Sequence, residues 1–360
     1  MADEINKRRA LTVGARTLTL TLTLTVTLTL AASGCTSSGS SSAPTSVPVS
    51  APDPGWIIYR FAHEGKQGLS MVRPDGTDDH PFLHGDAKAP HHPDWSKDGL
   101  AYTWALDQSD GTTDIWVADA KGKHRHKLVD CRKPCQVADE PVWSPDGTQI
   151  AYWTRGEGQP PIIRVVDATT GAIKTSIPAP SELDGPITPR WAPDGRRLAV
   201  ESDRFEIKSG TRQLVDSAIG VIDLTASSPS IHLITAPGTM AAYPDWSPSG
   251  DLIVFQAGNL APFSFAGPPT NLFTIRPDGT ELTQLTSRVA GQPYIATPTW
   301  APDGQTILVT LIRDAGEGPG GINRTLAAMS ADGNLLLDKL DTLGNPIRGF
   351  APRMFAHATP

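Results

Sequence analysis

Cysteine, methionine and tyrosine are scarce, with three, five and five residues among 360. Three cysteines leave room for one disulfide and one cysteine over, so bridges cannot be the main scaffold. Charge is sparse as well. Asp, Glu, Lys and Arg make up 19 % of the chain, and the formal net charge of -7 argues against a nucleic-acid surface. The uncharged, leucine-rich stretch at residues 17–30 is shorter than the roughly 20 residues of a comfortable membrane span. No Gly-x-Ser-x-Gly nucleophile elbow occurs, which removes the commonest signature of an α/β-hydrolase serine.

Glycine and proline, by contrast, are abundant at 33 each. Together they are about 18 % of the chain against a usual total near 12 %, without a collagen period, which implies many short connected elements. Tryptophan, at nine, equals phenylalanine and exceeds tyrosine. A residue normally so rare is expected to recur at a fixed structural position.

The N-terminus has the layout of an export signal. Lys7, Arg8, Arg9 and Arg16 precede residues 17–30, and small residues lead to Cys35. The Leu/Thr alternation in 17–30 has the period of a β-strand, but its position behind a basic segment assigns it to the signal. Ala32-Ser33-Gly34-Cys35 resembles a bacterial lipobox, which implies a cleaved signal peptide at 1–34 and lipidation of Cys35. Plain secretion and an uncleaved anchor are the alternatives, and Arg8-Arg9 leaves Sec and twin-arginine export both open. Residues 35–54 are rich in Ser, Thr and Pro and read as a disordered tether. Loss of residues 1–34 removes four basic and two acidic groups and takes the formal charge from -7 to -9. Membrane attachment would then rest on the lipid and a partner rather than on basic residues. Outside the cytoplasm, Cys131 and Cys135 are expected to form a disulfide.

A repeat of about fifty residues organises the rest. Pro93-Asp-Trp-Ser-Lys-Asp-Gly99 returns as Pro141-Val-Trp-Ser-Pro-Asp-Gly147, Pro189-Arg-Trp-Ala-Pro-Asp-Gly195, Pro244-Asp-Trp-Ser-Pro-Ser-Gly250 and Pro298-Thr-Trp-Ala-Pro-Asp-Gly304. The tryptophans are 48, 48, 55 and 54 residues apart, and one further step of 54 reaches Met354 in a degenerate sixth copy. Each copy predicts a hairpin around a turn of Pro-Asp-Gly type, with Lys97 and Ser249 as the departures, and a second hairpin follows in every repeat. Four strands, six times, predict an all-β, six-bladed β-propeller over residues 55–360. Trp56-Ile57-Ile58-Tyr59 matches the second strand of a blade, so the C-terminal strand around Pro352 is expected to join and close the N-terminal blade.

The repeat resembles that of the TolB-like propellers (WD40-like or PD40 repeats), found also beside the catalytic domain of prolyl oligopeptidase relatives. The resemblance implies the fold firmly and a role as binding platform, ligand binder or accessory domain. Neither the separate N-terminal α/β domain of TolB nor the appended hydrolase domain has a counterpart among these residues.

Candidate sites follow from the strand order. The residues before each proline and each tryptophan line the channel mouth, with His91, His92, Asp94, Glu140, Arg190, Tyr243, Asp245 and Arg353 as ligand-binding candidates. The same ring suits a hydrated channel with paired charges. His91 and His92 with Asp94, Asp139 and Glu140 form a metal or acid/base constellation drawn from two neighbouring blades. His124 and His126, near Cys131 and Cys135, have zinc-ligand types, although a disulfide beside solvated histidines fits the same residues. Residues 107–114 offer oxygens for calcium without EF-hand spacing. On the face opposite the Pro-Asp-Gly turns residues 203–212, 257–269 and 313–321 read as long loops, with Phe263 and Phe265 as an exposed partner anchor or as aromatics folded over the propeller.

The expectation is therefore a monomeric, membrane-tethered, extracytoplasmic propeller lipoprotein. It would bind or scaffold a protein or cell-envelope partner, with no cofactor, no nucleic acid and no assigned catalytic residues. The alternative is a channel-centred hydrolase, lyase or small-ligand binder.

Overall fold

In a computed structural model of the chain the described residues are 55–63, 66–85, 90–181, 184–258, 270–289, 291–314, 322–337 and 350–355. The chain divides into Met1–Ser50 and Ala51–Pro360, and all described residues belong to the second unit. The signal, Cys35, the tether, Phe263 and Phe265 lie outside the described residues.

Every regular element described is a β-strand. The first group is β1 (Trp56–His63), β2 (Lys66–Val72) and β3 (His80–Gly85). The second is β4 (Pro90–Trp95), β5 (Ala101–Asp107), β6 (Thr113–Asp119) and β7 (His126–Val129). The third is β8 (Cys135–Trp143), β9 (Gln149–Gly156), β10 (Ile162–Asp167) and β11 (Ile173–Ile177). The fourth is β12 (Asp184–Trp191), β13 (Arg197–Lys208), β14 (Thr211–Asp223) and β15 (Ile231–Leu233). The fifth is β16 (Ala241–Trp246), β17 (Ile253–Ala257), β18 (Asn271–Ile275) and β19 (Thr283–Gln284). The sixth is β20 (Tyr294–Trp300), β21 (Thr306–Asp314), β22 (Ile322–Ser330) and β23 (Leu335–Leu337), and β24 (Phe350–Phe355) ends the series.

Each group is an antiparallel four-stranded blade, and β24 supplies the innermost strand of the first, in the order β24-β1-β2-β3. The second and third blades are further joined by one parallel bridge, Thr113 to Val137. The Pro-Asp-Gly turns close as their composition predicts. The Gly147 N–H donates to Ser144 O at 2.9 Å, Gly147 takes a positive φ of 71°, and Asp146 accepts from the Ser144 hydroxyl and the Thr148 N–H.

Hydrophobic clusters sit between successive blades. One joins Trp95, Tyr102 and Trp104 to Trp56, Ile58 and Leu69; another joins Trp246, Ile253 and Phe255 to Ile219 and Val221. The sixth blade packs on the first through Leu308, Leu326 and Ala328 against Ile57, Tyr59 and Val72. This arrangement fits a closed ring. The repeated tryptophan is thus a wedge between blades, and its indole N–H bonds backward where geometry allows: Trp191 Nε1 to Val142 O at 3.3 Å and Trp246 Nε1 to Arg190 O at 3.1 Å.

The segment 203–212, read from sequence as a loop, is instead part of a long hairpin. Strands β13 and β14 stay paired from Arg197 with Asp223 out to Lys208 with Thr211, with one register shift at Arg204/Phe205. Past Arg204 no third strand accompanies them among the described residues, so a two-stranded ribbon projects beyond the blade.

Candidate functional site

The innermost strands share a device that simple alternation does not foresee. In β4, β8, β12, β16 and β20 the residue before the repeated proline has a left-handed backbone: His92 at φ 47°, Glu140 at 52°, Thr188 at 48°, Tyr243 at 53° and Thr297 at 49°. Such residues are sterically penalised, and the proline that follows each has no N–H to give to a continued ladder. The ladder registers break at the same place. His91 pairs with Ala105 and Asp94 with Thr103, so two residues oppose one, a β-bulge repeated in every blade.

The bulged N–H groups, turned out of their own ladder, are captured by the preceding blade. Thr188 N donates to Glu140 Oε2 at 2.8 Å, Tyr243 N to Glu201 Oε2 at 3.1 Å, and Thr297 N to Gln256 Oε1 at 2.8 Å. The acidic residues before tryptophan act in the same sense. Asp94 Oδ2 accepts from Trp143 N at 2.8 Å, and Asp245 Oδ2 accepts from Trp300 N at 2.8 Å and from the Thr299 hydroxyl at 2.7 Å. Burial pushes the Asp94 carboxyl up to about 7, against the lowering effects of the Trp143 N–H and of Arg190. Burial likewise raises Asp245 and, more strongly, Glu201. These carboxyl groups serve first as clasps between blades.

Of the channel-mouth candidates, the structure gathers His92, Glu140, Arg190 and Arg353 around one small recess, with Pro93, Pro141 and Val142. The recess measures about 220 Å³ with its open mouth, and its interior admits little more than one water-sized guest. Tyr243 and Asp245 do not line it, and Asp94 is committed to Trp143. Burial and the neighbouring Glu140 and Glu201 charges hold the Tyr243 phenol well above its ordinary range.

His91 stands beside His92 rather than across the strand, because the bulge interrupts the two-residue period. Their rings meet edge to face, with Nδ1 atoms 3.1 Å apart. Asp139 Oδ1, from β8 of the next blade, lies 2.8 Å from His92 Nδ1 and 3.3 Å from His91 Nδ1, and it accepts the Glu140 N–H. The second nitrogen of His91 lies 3.3 Å from Asp107 Oδ1, and that oxygen also accepts from the Thr113 hydroxyl at 2.8 Å. Burial works against a charged His91, but hydrogen bonds to Asp107 and Asp139 prevail and carry it up to about 9. Asp139 is held well below the carboxylate range by the two histidines in spite of its burial.

The other sequence candidates disperse. Cys131 and Cys135 are joined as a disulfide, so neither sulfur is available as a thiolate ligand. His124 is solvent-exposed and paired with Asp119 at 2.7 Å, while His126 Nδ1 contacts His124 O. In 107–114, Asp107 turns to His91, Asp110 to Thr112 and Asp114 to Lys127 and the Cys131 N–H, so their carboxylates do not converge.

Glu201 is not among the sequence candidates, and Asp107 is one only as part of the calcium-type run at 107–114, not as a partner of His91. Glu201 stands ten residues after Trp191, where the other repeats carry Ala105, Trp153, Gln256 and Thr310. A charged residue at a strand position that is uncharged in these other repeats is the signal that finds it.

Glu201 also sets a pH dependence. Burial and the Asp203 charge raise its pKa, so the folded chain keeps a proton that the unfolded chain loses above about pH 4. Its contribution is therefore full at low pH and declines as pH rises toward the folded-state value. Glu201→Gln keeps an acceptor for Tyr243 N and removes the ionisation. The expected result is a variant equal to the parent near pH 4 and more stable than it at pH 8, in urea midpoints; parallel pH profiles would exclude this account.

No model of a known protein family matches the chain. Solved structures do resemble it. TolB from Acinetobacter baumannii superposes with a TM-score of 0.60 at 18 % identity, over 84 % of this chain and 67 % of that one. A protein from Agrobacterium tumefaciens assigned as TolB gives 0.53 at 18 % identity, over 78 % and 86 %. A structure from the nidogen/laminin complex gives 0.52 at 10 % identity, over 84 % and 96 %. The protein is a β-propeller. More particularly its fold is TolB-like, and at these identities the likeness is one of fold alone.

Proposed function

We propose that the protein is an extracytoplasmic propeller lipoprotein, anchored to the bacterial cell membrane through Cys35, that binds a protein partner on the face carrying the β13–β14 ribbon. The ribbon is the observation that carries this reading. Among the described residues, 205–214 pair only with one another and no further strand lies on either ribbon edge, and Ile207 and Leu214 are 59 % and 37 % exposed. Open strand edges beside exposed apolar side chains are templates for a partner's backbone and side chains. The Arg212 guanidinium lies 4.0 Å from the centre of the Phe205 ring and stiffens the ribbon tip. Phe263 and Phe265 are proposed as a second anchor on that face. One solved neighbour, from the nidogen/laminin complex, was determined with a protein partner, which supports the class of role.

A channel-centred hydrolase or lyase has less support. The recess at His92 and Glu140 takes a water-sized guest, not a glycan or a peptide.

A photo-crosslinking residue placed at Ile207 tests the reading in cells, with Asp194, on the Pro-Asp-Gly side, as control. The expected outcome is a discrete adduct from position 207 alone, weakened at least fivefold by Leu214→Ser, and release of the chain from membranes by Cys35→Ala. Equal adducts from both faces would overturn the assignment of the face, and an unmodified Cys35 by mass spectrometry would overturn the tether.

A further inference from the structure

We infer that His91, His92 and Asp139 form a binding site for one divalent transition-metal ion, of the zinc type, which bridges the second and third blades. Three ligand atoms converge: His91 Nδ1, His92 Nδ1 and Asp139 Oδ1 lie 3.1, 2.8 and 3.3 Å from one another. A tetrahedral ion bound at about 2.0–2.2 Å sets its ligands roughly 3.3 Å apart, so small movements suffice to seat it over the triangle. The donor set of two imidazoles and one carboxylate suits zinc and its neighbours in the first transition row rather than calcium or magnesium.

Hydrogen bonding alone serves this triangle poorly. Protons on both Nδ1 atoms can serve their contacts with Asp139 Oδ1, but they leave the 3.1 Å approach of the two Nδ1 atoms to each other without a bond, whereas a dication satisfies all three contacts. The backbone device that creates the cluster is also specific to this place. Every blade has the bulge, but among the described residues only here do the residue before the proline and its predecessor both carry imidazoles, with a carboxylate facing them from the next blade.

The surroundings have the second layer that metal-bound histidines require. Asp107 accepts from His91 Nε2 and is itself fixed by Thr113, which orients the ring with Nδ1 toward the triangle. Glu140 Oε1 stands 3.8 Å from His92 Nε2. The Arg60 guanidinium interacts with Asp107 and Asp139 and offsets part of their negative charge. His92 and Glu140 line the water-sized recess, which brings solvent to the His92 side of the cluster. His91 and Asp139 side chains are only 10 % and 13 % exposed, a setting in which bound metal is shielded from exchange.

The inference is independent of the partner reading. The full chain, purified from membranes in detergent without a histidine tag, is dialysed against Zn²⁺ and against Co²⁺, and bound metal is counted per chain. One equivalent is expected, with the strong visible absorption of four-coordinate cobalt. His92→Ala should weaken binding at least tenfold while its far-UV spectrum and cooperative unfolding persist; Thr113→Val, which touches no ligand atom, should weaken it less. A His124→Ala/His126→Ala variant should still bind one equivalent. Metal retained in His92→Ala, lost from the His124/His126 variant, or never bound by the parent chain would overturn the site.

Discussion

Removal of residues 350–360 is expected to abolish cooperative folding of the propeller. Strand β24 is the innermost strand of the first blade, although it lies almost 300 residues from β1 in the chain. It pairs with β1 through Trp56 to Phe355, Ile57 to Met354 and Ile58 to Arg353, and it also packs against β20 of the sixth blade and β4 of the second. Without it, β1 presents a bare edge, and the cluster of Ile57, Tyr59, Leu308 and Leu326 loses Met354. A domain is stable by only about 5–15 kcal/mol, and the loss of a strand that contacts three blades is comparable with that total. The exposed edge then becomes a site for intermolecular pairing. Size-exclusion chromatography and urea denaturation should show aggregated material without a single transition. A truncated chain that stays monomeric and unfolds at the parent's midpoint would mean that the ring is not held by this strand.

The architecture was legible because it is periodic. Five Pro-x-Trp copies with Pro-Asp-Gly turns gave strand number and blade number, and the extrapolated step to Met354 located the closing strand. What the period could not convey was its own interruption. Nothing in a two-residue alternation says that His92, Glu140, Thr188, Tyr243 and Thr297 adopt positive φ, although the proline after each, unable to donate to a ladder, is the physical reason for a bulge there. The bulge in turn explains why His91 and His92 lie side by side, and why Asp94 and Asp245 clasp the next blade rather than facing an open channel.

The ribbon was missed for a different reason. Extra length between tryptophans was ascribed to loops, yet Phe205 and Ile207 alternate with Arg204, Glu206 and Lys208 before Ser209-Gly210, a strand-and-turn pattern in its own right. The clasp at Glu201 lies outside the Pro-x-Trp and turn positions that define the repeat, so the repeat does not mark it. Chemistry that spans two blades, as at Asp139 and His92, is invisible in one dimension until the repeat fixes which positions face each other.

Trp246→Ala is expected to cost about 3–5 kcal/mol, the range for a large aromatic removed from a packed interior. Trp246 is buried between the fourth and fifth blades against Ile219, Ile253 and Phe255. The Arg197 guanidinium lies 4.8 Å from its ring centre, and its indole N–H donates to Arg190 O. Truncation therefore removes apolar contact, a cation–π contact and the partner of a buried carbonyl together. Phenylalanine separates these contributions. Trp246→Phe keeps most of the ring but forfeits the hydrogen bond, whereas the equivalent nitrogen of Trp300 is buried without a hydrogen-bond partner among the described residues. Trp300→Phe should accordingly be the milder change, by about 1 kcal/mol, the typical net worth of one such bond. Urea midpoints at constant slope measure the difference. Equal costs for the two phenylalanine variants would show that the tryptophans act as wedges by volume alone, and that the backward indole bond from blade to blade adds nothing to the ring.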